Sequence, residues 1–437
     1  NTPYLLLDSG DFSDGTWEAN STKGALSIDF MNKLHYDAAT IGNHEGTFGP
    51  SAMLKNISNA NFAILAANLK DTKTQTYPEG VIPFKTFVKG GKKIAVIGLA
   101  RRPQPSTKRM ITTKDKTAIK KAVEELSKQN PDAIVVLAHE SIKGNGKEKE
   151  TNLYKKIQGI KGINLVLGGH EHKIIQNKKV GGVVFVESGE KLKGVSKIAL
   201  DFDDKTGELK NMKSVYIPLD IAKTGRNLDI LAFAASNQNK TLDKTISSLK
   251  QDIPRYNPKN AEGEIDSPLA NLFADILKNY AKADIGVQNT WGQRADLKKG
   301  PIKRRDIYNI FPFTDGILVM EVDGKFIHKL VLKALNARTN NSAFNYSGLT
   351  VKYRLKNDEP QIVEIKVNGE PLENSRKYSL VVNDYIGKGN SEGYLFKKVK
   401  NKKAFGNKNI EEIFTDYFIK HPNGVPAPKN GRIKRVD

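Results

Sequence analysis

Four short apolar runs in this chain each end in residues whose side chains can bind metal ions. One run, Leu165 to Leu167, is followed by Gly168-Gly169-His170-Glu171-His172, so two imidazoles stand one residue apart. The other runs end at Asp11, at Asn43 with His44, and at His139. In open α/β sheets the carboxyl ends of neighbouring strands meet along one edge, and ligands bind there. We therefore expect these side chains to converge at one edge of a sheet.

The order of strand and helix patterns indicates the fold class and the domain organisation. Up to about residue 220, apolar runs alternate with amphipathic helical patterns, which predicts a layered α/β domain over residues 1–220. A helical pattern from Asn227 to about Asp252, followed by prolines, predicts a helical linker over residues 221–260. A helix over Ser267 to Lys282, followed by separate strands, predicts a second, α+β domain over residues 261–437.

The composition excludes some kinds of site and partner. The chain has no cysteine, so it has no disulfide and no thiolate ligand, and a bound metal must be held by oxygen and imidazole nitrogen. No apolar run approaches the ~20 residues that a membrane span requires. The net charge of +22 would suit nucleic acid. However, the lysines are scattered and form no compact basic stripe with aromatics, so we do not expect nucleic-acid binding.

The candidate ligands suit a centre with two divalent metal ions. Two such ions ~3.5–4 Å apart can share a carboxylate, generate hydroxide from water and hold a phosphoryl group during displacement. Asp11 has the two oxygens that a bridge needs, and Asn43 offers a carboxamide oxygen. His139, His170 and His172 offer nitrogens. Taken alone, Asp11 or Asn43 is more often a turn residue that caps a helix. The full set in this order favours the metal centre.

The chain resembles the calcineurin-like metallophosphoesterases, and within them the 5′-nucleotidases, in four motifs: Gly10-Asp11, Gly42-Asn43-His44-Glu45, Ala138-His139 and Gly169-His170-Glu171-His172. The resemblance implies a layered β-sandwich flanked by helices, and two divalent metal ions such as manganese or zinc. It implies that Asp11 bridges the metals, that Asn43, His139 and His170 bind one of them, and that His172 binds the other. It also implies that His44 is the catalytic histidine, which stabilises the transferring phosphoryl group or helps the leaving alkoxide depart.

Two departures from the family pattern affect the expected chemistry. The family begins with an Asp-x-His motif on its first strand, and no such motif precedes Leu5, so we expect the first strand and its ligands to be missing from this sequence. The second departure is Gly46-Thr47, where the nucleotidases carry Phe-Asp and the aspartate orients the catalytic histidine. Because Thr47 brings no charge, we expect His44 to be a weaker cation and the reaction to be slower.

The second domain carries candidate substrate-binding residues. A loop that follows the strand Ile285 to Gln288 ends in Arg294, which can bind an anionic oxygen, although most such arginines are solvated. Aromatic residues at turns can stack a nucleobase at ~1–3 kcal/mol per face, although most are core residues. The resemblance extends here and implies that six residues bind the substrate: Asn289, Gly292, Arg294, Phe313, Tyr385 and Glu392. Among them, Phe313 and Tyr385 stack the base, and Glu392 stands near the position of the family's ribose-binding aspartate.

The leading hypothesis is the metal-dependent hydrolysis of nucleotide phosphate monoesters, above all nucleoside 5′-monophosphates, by metal-activated hydroxide in nucleotide catabolism. One alternative is a cyclic-nucleotide or dinucleotide phosphodiesterase, which the same metal centre can serve. The other is a catalytically weakened nucleotide-binding protein, which Thr47 and the missing Asp-x-His motif permit. The resemblance also implies a periplasmic or secreted protein. The sequence leaves the native metal, the base preference and the oligomeric state open.

Overall fold

The structure of the chain is a computed structural model. It describes residues 2–104, 109–142, 152–220, 227–255, 265–313, 315–335, 343–357 and 359–436. The chain divides into two compact units, Asn1–Asp14 with Glu18–Gln238 and Gly15–Trp17 with Asn239–Asp437. Within the described residues, no helix has the length and apolar composition that crossing a membrane requires.

The first unit contains two larger β-sheets, two two-stranded sheets and a set of mostly short helices. Its strands are β1 (Leu7–Asp8), β2 (Ala38–Thr40), β3 (Ala63–Leu65), β4 (Leu69–Asp71), β5 (Val81–Ile82), β6 (Phe84–Lys89), β7 (Lys92–Leu99), β8 (Met110–Thr112), β9 (Ala133–Ala138), β10 (Leu165–Gly168), β11 (Ile174–Val180), β12 (Val183–Ser188), β13 (Gly194–Phe202) and β14 (Leu209–Pro218). Its helices are α1 (Trp17–Ser21), α2 (Ala25–Lys33), α3 (Gly49–Asn59), α4 (Asp115–Ser127), α5 (Asn152–Ile157) and α6 (Leu228–Asn237).

The two larger sheets pack face to face with helices outside them. One sheet has the order β1-β2-β3-β5 with all strands parallel, and the other has the order β11-β12-β10-β9-β7-β6. Side chains such as Leu65 and Val135 form a core between the sheets, while α2 and α3 cover the first sheet and α4 and α5 cover the second. The predicted layered sandwich flanked by helices is therefore confirmed.

The apolar pattern explains the central strands and their covering helices. All six residues of β9 are buried, because a parallel strand in the middle of this sheet is covered on both faces. On α4, the buried residues Ile119, Val123 and Leu126 follow the spacing of one helical face. β9 and β10 are parallel neighbours, so the residues that follow them leave the sheet at the same edge.

The helix predicted from Asn227 to about Asp252 is wrong in its second half. α6 ends at Asn237, and Gln238 has an extended backbone. Thr245–Leu249 is instead a strand, β15, that pairs with Gly300–Lys303. In β15 the buried residues alternate with less buried ones, which is the period of a strand, and the pairing partner lies ~50 residues away in sequence, where local pattern reasoning does not reach.

The second unit is an α+β fold, as predicted. Its strands are β15, β16 (Ile285–Asn289), β17 (Gly300–Lys303), β18 (Ile317–Asp323), β19 (Phe344–Ser347), β20 (Leu349–Lys356), β21 (Glu359–Val367), β22 (Glu370–Pro371), β23 (Lys377–Asn383), β24 (Lys402–Ala404) and β25 (Ile433–Arg435). Its helices are α7 (Pro268–Ala281), α8 (Arg304–Ile310), α9 (Gly324–Leu335), α10 (Asp384–Gly387) and α11 (Ile410–Ile419).

A five-stranded sheet of order β19-β16-β23-β18-β24 forms the centre of the second unit. One apolar core joins this sheet to α7, α8 and α11, and another joins it to α9 and to strands β20 and β21. The buried helix α7 agrees with the predicted helix. Its first turn is capped by the Ser267 hydroxyl, which accepts a hydrogen bond from the Ala270 amide, and Pro268 follows at the first helical position.

Candidate metal centre and substrate-binding residues

Three of the predicted metal ligands lie together in the first unit. Asp11, His139 and His170 follow β1, β9 and β10, and their ligand atoms lie within 4.8 Å of one another. Asp11 Oδ2 is 2.8 Å from His139 Nε2. Asn43 belongs to the neighbouring turn, where the His44 amide donates a hydrogen bond of 2.7 Å to Asp11 Oδ1. The edge of the sandwich thus brings together the ends of strands that are far apart in sequence.

Two polar atoms of this group, Asn43 Oδ1 and His170 Nδ1, are buried without a hydrogen-bond partner among the described residues. The His139 Nε2 atom is paired with the Asp11 carboxylate. Buried polar atoms are rarely left unpaired, because each loses its hydration without compensation. One carboxylate, one amide oxygen and two imidazoles form a donor set that suits divalent metals such as manganese and zinc. The residues therefore fit the metal ions that the sequence predicts.

The protonation states of the group also suit metal binding. Burial, together with the positive charge of Arg101, lowers the pKa of His170 to about 3, so its ring is neutral at physiological pH. Burial alone would raise the pKa of Asp11, but the adjacent His139 imidazole holds it well below its usual range. The His139 Nδ1 atom lies 2.6 Å from the Ser9 carbonyl oxygen and must donate to it. Nε2 is therefore the nitrogen that faces Asp11. Burial alone would lower the pKa of His139, but the hydrogen bond to Asp11 raises it, so a metal ion would bind at Nε2 in exchange for a proton.

The backbone of these turns adopts conformations that side chains seldom tolerate. The φ angles of Asp11, His170 and His172 are 65°, 76° and 57°. A non-glycine residue in this region costs about 1–3 kcal/mol and is concentrated at functional sites. At Gly10, with φ of 91°, an added Cβ would lie 2.6 Å from the Gly42 amide nitrogen. The two turns approach so closely that only glycine fits there.

Glu45 connects the two turns, a role that was not predicted from the sequence. Its carboxylate accepts hydrogen bonds from the backbone amides of Asp11, Phe12, Ser13 and Gly42, at 2.6–3.2 Å. The side chain is buried, and burial raises its pKa to about 7. A glutamate directly after an Asn-His pair and an apolar strand is the signal that could have indicated a buried acceptor.

His44 has a carboxylate partner, which contradicts the expectation drawn from Thr47. The Asp14 Oδ2 atom lies 2.8 Å from His44 Nδ1, and the Thr47 hydroxyl donates a hydrogen bond of 2.8 Å to the same oxygen. The expectation was wrong because it considered only the position three residues after His44. The carboxylate comes from the turn after β1 instead.

His172 lies apart from the other predicted ligands. Its side chain is 46% exposed, and its Nδ1 atom is 3.0 Å from Glu190 Oε2. Within the described residues, the ligand cluster of Asp11, His139 and His170 does not include it. Its assignment to a second metal stays a prediction.

The predicted substrate-binding residues of the second unit occupy the ends of strands in the five-stranded sheet. Asn289 ends β16 and accepts a hydrogen bond of 2.9 Å from the side-chain amide of Asn383, which ends β23. An added Cβ at Gly292 would lie 2.9 Å from Asn289 Oδ1, so a side chain there would require the Asn289 amide to shift. The guanidinium of Arg294 lies 5.2 Å from the centre of the Phe313 ring, a cation–π contact.

The remaining two predicted residues follow β23. Tyr385 lies in α10 and its side chain is 44% exposed, so its ring is accessible. The backbone of Glu392 belongs to a 3₁₀ helix, Ser391–Lys398, but its side chain lies outside the described part of the structure. The structure thus places Asn289, Gly292 and Tyr385 at or just after the ends of two parallel neighbouring strands, β16 and β23.

Two segments of the chain match known protein families. Residues 1–174 match the calcineurin-like phosphoesterases, and residues 245–400 match the C-terminal domain of 5′-nucleotidases. The sandwich with its ligand cluster and the second α+β unit agree with this pairing. The chain belongs to the calcineurin-like phosphoesterases that carry a 5′-nucleotidase C-terminal domain.

Individual relatives share this arrangement at low sequence identity. The chain is 25% identical over 461 residues to Endonuclease YhcR of Bacillus subtilis, an alignment that covers 99% of this chain and 37% of that protein. It is 26% identical over 468 residues to a 5′-nucleotidase of Vibrio parahaemolyticus, covering 95% and 81%. The crystal structure of a 5′-nucleotidase precursor from Thermus thermophilus is similar with a TM-score of 0.84 and 25% identity, covering 99% of this chain and 90% of that one. The chain therefore spans little more than a third of the length of YhcR.

Proposed function

We propose that this chain hydrolyses phosphate monoesters of nucleotides, above all nucleoside 5′-monophosphates, in a metal-dependent reaction. The observation that supports this most directly is the convergence of Asp11, His139 and His170 at a place where two ligand atoms are buried and unpaired. The match of residues 245–400 to the 5′-nucleotidase C-terminal domain supports a nucleotide as the substrate. The names of the Vibrio and Thermus relatives support the same class.

In this proposal Asp11, Asn43, His139 and His170 would hold one metal ion, and Asp11 and His172 would hold a second. When bound, divalent ions lower the pKa of a water molecule and neutralise charge on the phosphoryl oxygens. The hydrogen bond from His139 Nδ1 to the Ser9 carbonyl keeps Nε2 directed at the site. The strained turns hold the ligand side chains in place before the substrate arrives.

His44 acts on the substrate through Nε2, because Nδ1 is engaged with Asp14. A proton on Nε2 can pass to the 5′ oxygen of the nucleoside as the phosphorus–oxygen bond breaks, which spares the reaction a strongly basic alkoxide. The same positive ring lowers the energy of the charged phosphoryl group during transfer. Both effects depend on a ring that keeps a fixed orientation.

In the second unit, Arg294 and Phe313 form the polar and apolar parts of the proposed recognition site. Tyr385 offers an accessible ring that can stack on a base, at ~1–3 kcal/mol per face. Asn289 and Gly292 shape the turn, and Glu392 serves the ribose. We also propose, from the family resemblance, that the protein acts in the periplasm or outside the cell.

A phosphodiesterase is the second candidate, because the relative YhcR is named an endonuclease. Endonucleases cleave phosphodiesters, and a metal centre with the same ligand types serves monoesters and diesters alike. The two candidates differ in the substrate that the chain accepts, so a panel of esters separates them.

The experiment measures inorganic phosphate released from adenosine 5′-monophosphate, nucleoside monophosphate formed from a cyclic nucleotide, and p-nitrophenolate released from bis-p-nitrophenyl phosphate, each with added manganese or with chelator. We expect manganese-dependent turnover of the monophosphate, lost with chelator and reduced by about 100-fold or more in His139→Ala. His328→Ala is the matched control, because His328 is exposed on α9. Calorimetric titration with manganese should show binding to the parent chain and weaker binding to His139→Ala. Turnover of the diesters alone would favour the second candidate, and manganese binding without turnover would favour a nucleotide-binding protein.

A further inference from the structure

We infer that Asp14 is the positioning residue of His44, replacing the aspartate that the nucleotidases carry three residues after their catalytic histidine. The inference rests on the proposed hydrolysis, since it assigns Asp14 a task in that reaction. It gives this chain a histidine–carboxylate pair built from two turns instead of one.

The contact between the two side chains is direct and largely shielded from water. Asp14 Oδ2 lies 2.8 Å from His44 Nδ1, and the side chains of Asp14 and His44 are 8% and 24% exposed. A carboxylate accepts but does not donate, so His44 Nδ1 must carry the proton of this hydrogen bond. Hydrogen bonds to charged groups are about twice as strong as neutral ones, and more so away from water.

Thr47 is part of the same arrangement. Its hydroxyl donates a hydrogen bond of 2.8 Å to Asp14 Oδ2, the oxygen that also accepts from His44. Its own position is fixed, because its amide donates to the His44 carbonyl at 3.0 Å. Thr47 therefore holds the carboxylate against the histidine from the position where the nucleotidases carry the carboxylate itself.

The turn that carries Asp14 is anchored to the turn that carries His44. The amide and the hydroxyl of Ser13 both donate to Glu45 Oε1, at 3.2 and 3.1 Å, and Ser13 is 2% exposed. Asp14 follows Ser13, and Glu45 follows His44, so this anchor aligns the two partners. The backbone thus holds the carboxylate of residue 14 beside the His44 imidazole.

The surroundings of Gly46 explain why the second departure from the family motif changes both residues of Phe-Asp. An added Cβ at Gly46 would lie 2.7 Å from the Gln104 carbonyl oxygen. The Gln104 amide in turn donates a hydrogen bond of 2.7 Å to the Asn43 carbonyl. The backbone at Gln104 fills the room that the family's phenylalanine would need, so Gly46, Thr47 and Asp14 replace Phe-Asp together.

The pair has two effects on the proposed reaction. The hydrogen bond fixes the plane of the imidazole and leaves Nε2 as the nitrogen that serves the substrate. The negative carboxylate also stabilises the ring while it carries a positive charge. The described contacts of the Asp14 carboxylate are to His44 and Thr47, so Asp14 acts through His44.

The test compares Asp14→Ala, Asp14→Asn and the double variant Asp14→Ala/Thr47→Asp, which returns the carboxylate to the family position. We expect kcat for adenosine 5′-monophosphate to fall by about 10–100-fold in Asp14→Ala, with KM and melting temperature little changed. Asp14→Asn should lose less, and the double variant should recover most of the lost kcat. Asp29→Asn, a carboxylate-to-amide change on the exposed face of α2, is the matched control and should leave kcat unchanged.

Two results would overturn the inference. The first is an Asp14→Ala variant with the kcat of the parent chain. The second is a loss of kcat that the added aspartate does not rescue and that follows a lower melting temperature, since a purely structural role predicts that pattern.

An NMR measurement that does not depend on catalytic turnover separates this inference from the proposed function. The chain has seven histidines, so a nitrogen-labelled sample permits assignment of the His44 ring by NMR. We expect a hydrogen-bonded Nδ1 proton that is present in the parent chain and in Asp29→Asn but lost in Asp14→Ala. A His44 ring without this proton in the parent chain refutes the pairing even if the enzyme is active. An inactive parent chain that shows the proton refutes the proposed function and leaves the pairing intact.

Discussion

Glu45 is the residue on which the geometry of the candidate metal centre most depends. Four backbone amides donate to its carboxylate, and all of them belong to the two turns that carry Asp11 and Asn43. Two of these amides, those of Ser13 and Gly42, are buried with it. Glu45 thus fixes the ligands through the backbone and not by contact with a metal.

Replacing Glu45 by leucine should therefore impair both folding and metal binding. Each buried amide left without an acceptor costs about 1–3 kcal/mol, so we expect a loss of several kcal/mol in the free energy of unfolding. Glu45→Gln keeps one acceptor oxygen and should lose less. Chemical denaturation gives the stability, and titration with manganese gives the affinity. A Glu45→Leu variant as stable as the parent chain would show that water or a shifted backbone satisfies these amides.

Asp315 gives the second unit a pH-dependent stability. Burial, and then the charge of the neighbouring Asp384, raise the pKa of Asp315 to about 7. The folded chain therefore binds a proton that the unfolded chain releases near the ordinary pKa of 3.8. Because the folded state holds more protons in this window, stability falls as the pH rises from about 4 to about 7.

Asp315→Asn removes this penalty, since an amide stays neutral next to Asp384. We expect the variant to match the parent chain near pH ~4 and to be more stable by about 1 kcal/mol or more near pH ~8. The melting temperatures of both proteins across this range test the prediction. A constant difference between them at every pH would mean that the effect is steric. The same comparison with Asp29→Asn, on the exposed face of α2, controls for the change in net charge.

The sequence predicts which side chains meet at the sheet edge better than it predicts which side chains pair there. Asp11, His139 and His170 follow apolar strands, and the sheet edge brings them together as expected. Asp14 could not be paired with His44 from the sequence, because the contact depends on how two turns 30 residues apart meet. His172 has the spacing to His170 that predicts neighbouring ligands, but it is not in the group of three ligands that the described residues bring together, so its role stays a prediction.

At the scale of elements, the close contact between the two sheets of the first unit depends on Gly98. An added Cβ at Gly98, in β7, would lie 2.0 Å from the Leu65 carbonyl oxygen in β3 of the other sheet. The Gly98 carbonyl also accepts a hydrogen bond of 2.8 Å from the Ala67 amide, so the two segments cannot easily separate. Glycine permits this close approach of the two sheets, and the methyl group of an alanine would obstruct it.

Gly98→Ala should therefore destabilise the first unit by about 1–3 kcal/mol, because the sheets must move apart to admit one methyl group. Val88→Ala is the control, since Val88 is 66% exposed in the adjacent strand β6 and should change stability by less than about 0.5 kcal/mol. Urea unfolding followed by circular dichroism measures both. An unchanged midpoint for Gly98→Ala would show that the sheets have more freedom than this contact suggests.

Elements with a strong period are predicted from the sequence, and elements that depend on distant partners are not. The buried run of β9 and the capped helix α7 carry their own signals, in composition and in Ser267-Pro268. β15 carries a weak one, because Ser247 and Ser248 interrupt its apolar pattern and the strand forms by pairing with β17. The predicted helix therefore continued past Asn237, where the helical ladder stops.

At the scale of the whole molecule, the surplus of positive charge should affect how fast an anionic substrate arrives. The chain has 70 lysines and arginines against 48 aspartates and glutamates, which gives the net charge of +22. A protein with such an electric field attracts nucleotide dianions over distances longer than any contact. Clefts lined by charges of one sign raise association rates by roughly 10–10³-fold at low salt. The charges need no specific arrangement for this effect, in contrast to the recognition of nucleic acid.

Because salt shortens the range of this attraction from ~30 Å at about 0.01 M to ~3 Å at about 1 M, kcat/KM for adenosine 5′-monophosphate should fall across that range. We expect a fall of about tenfold, carried by KM, while kcat changes little, since the charges act before the chemical step. Steady-state kinetics in sodium chloride measure this, and a neutral osmolyte at the same osmolarity serves as the control. If kcat falls instead, salt acts on the metal centre and the net charge has no part in the encounter. If neither constant changes, the surface charge is too dispersed to guide the substrate, and the +22 reflects only a lysine-rich surface.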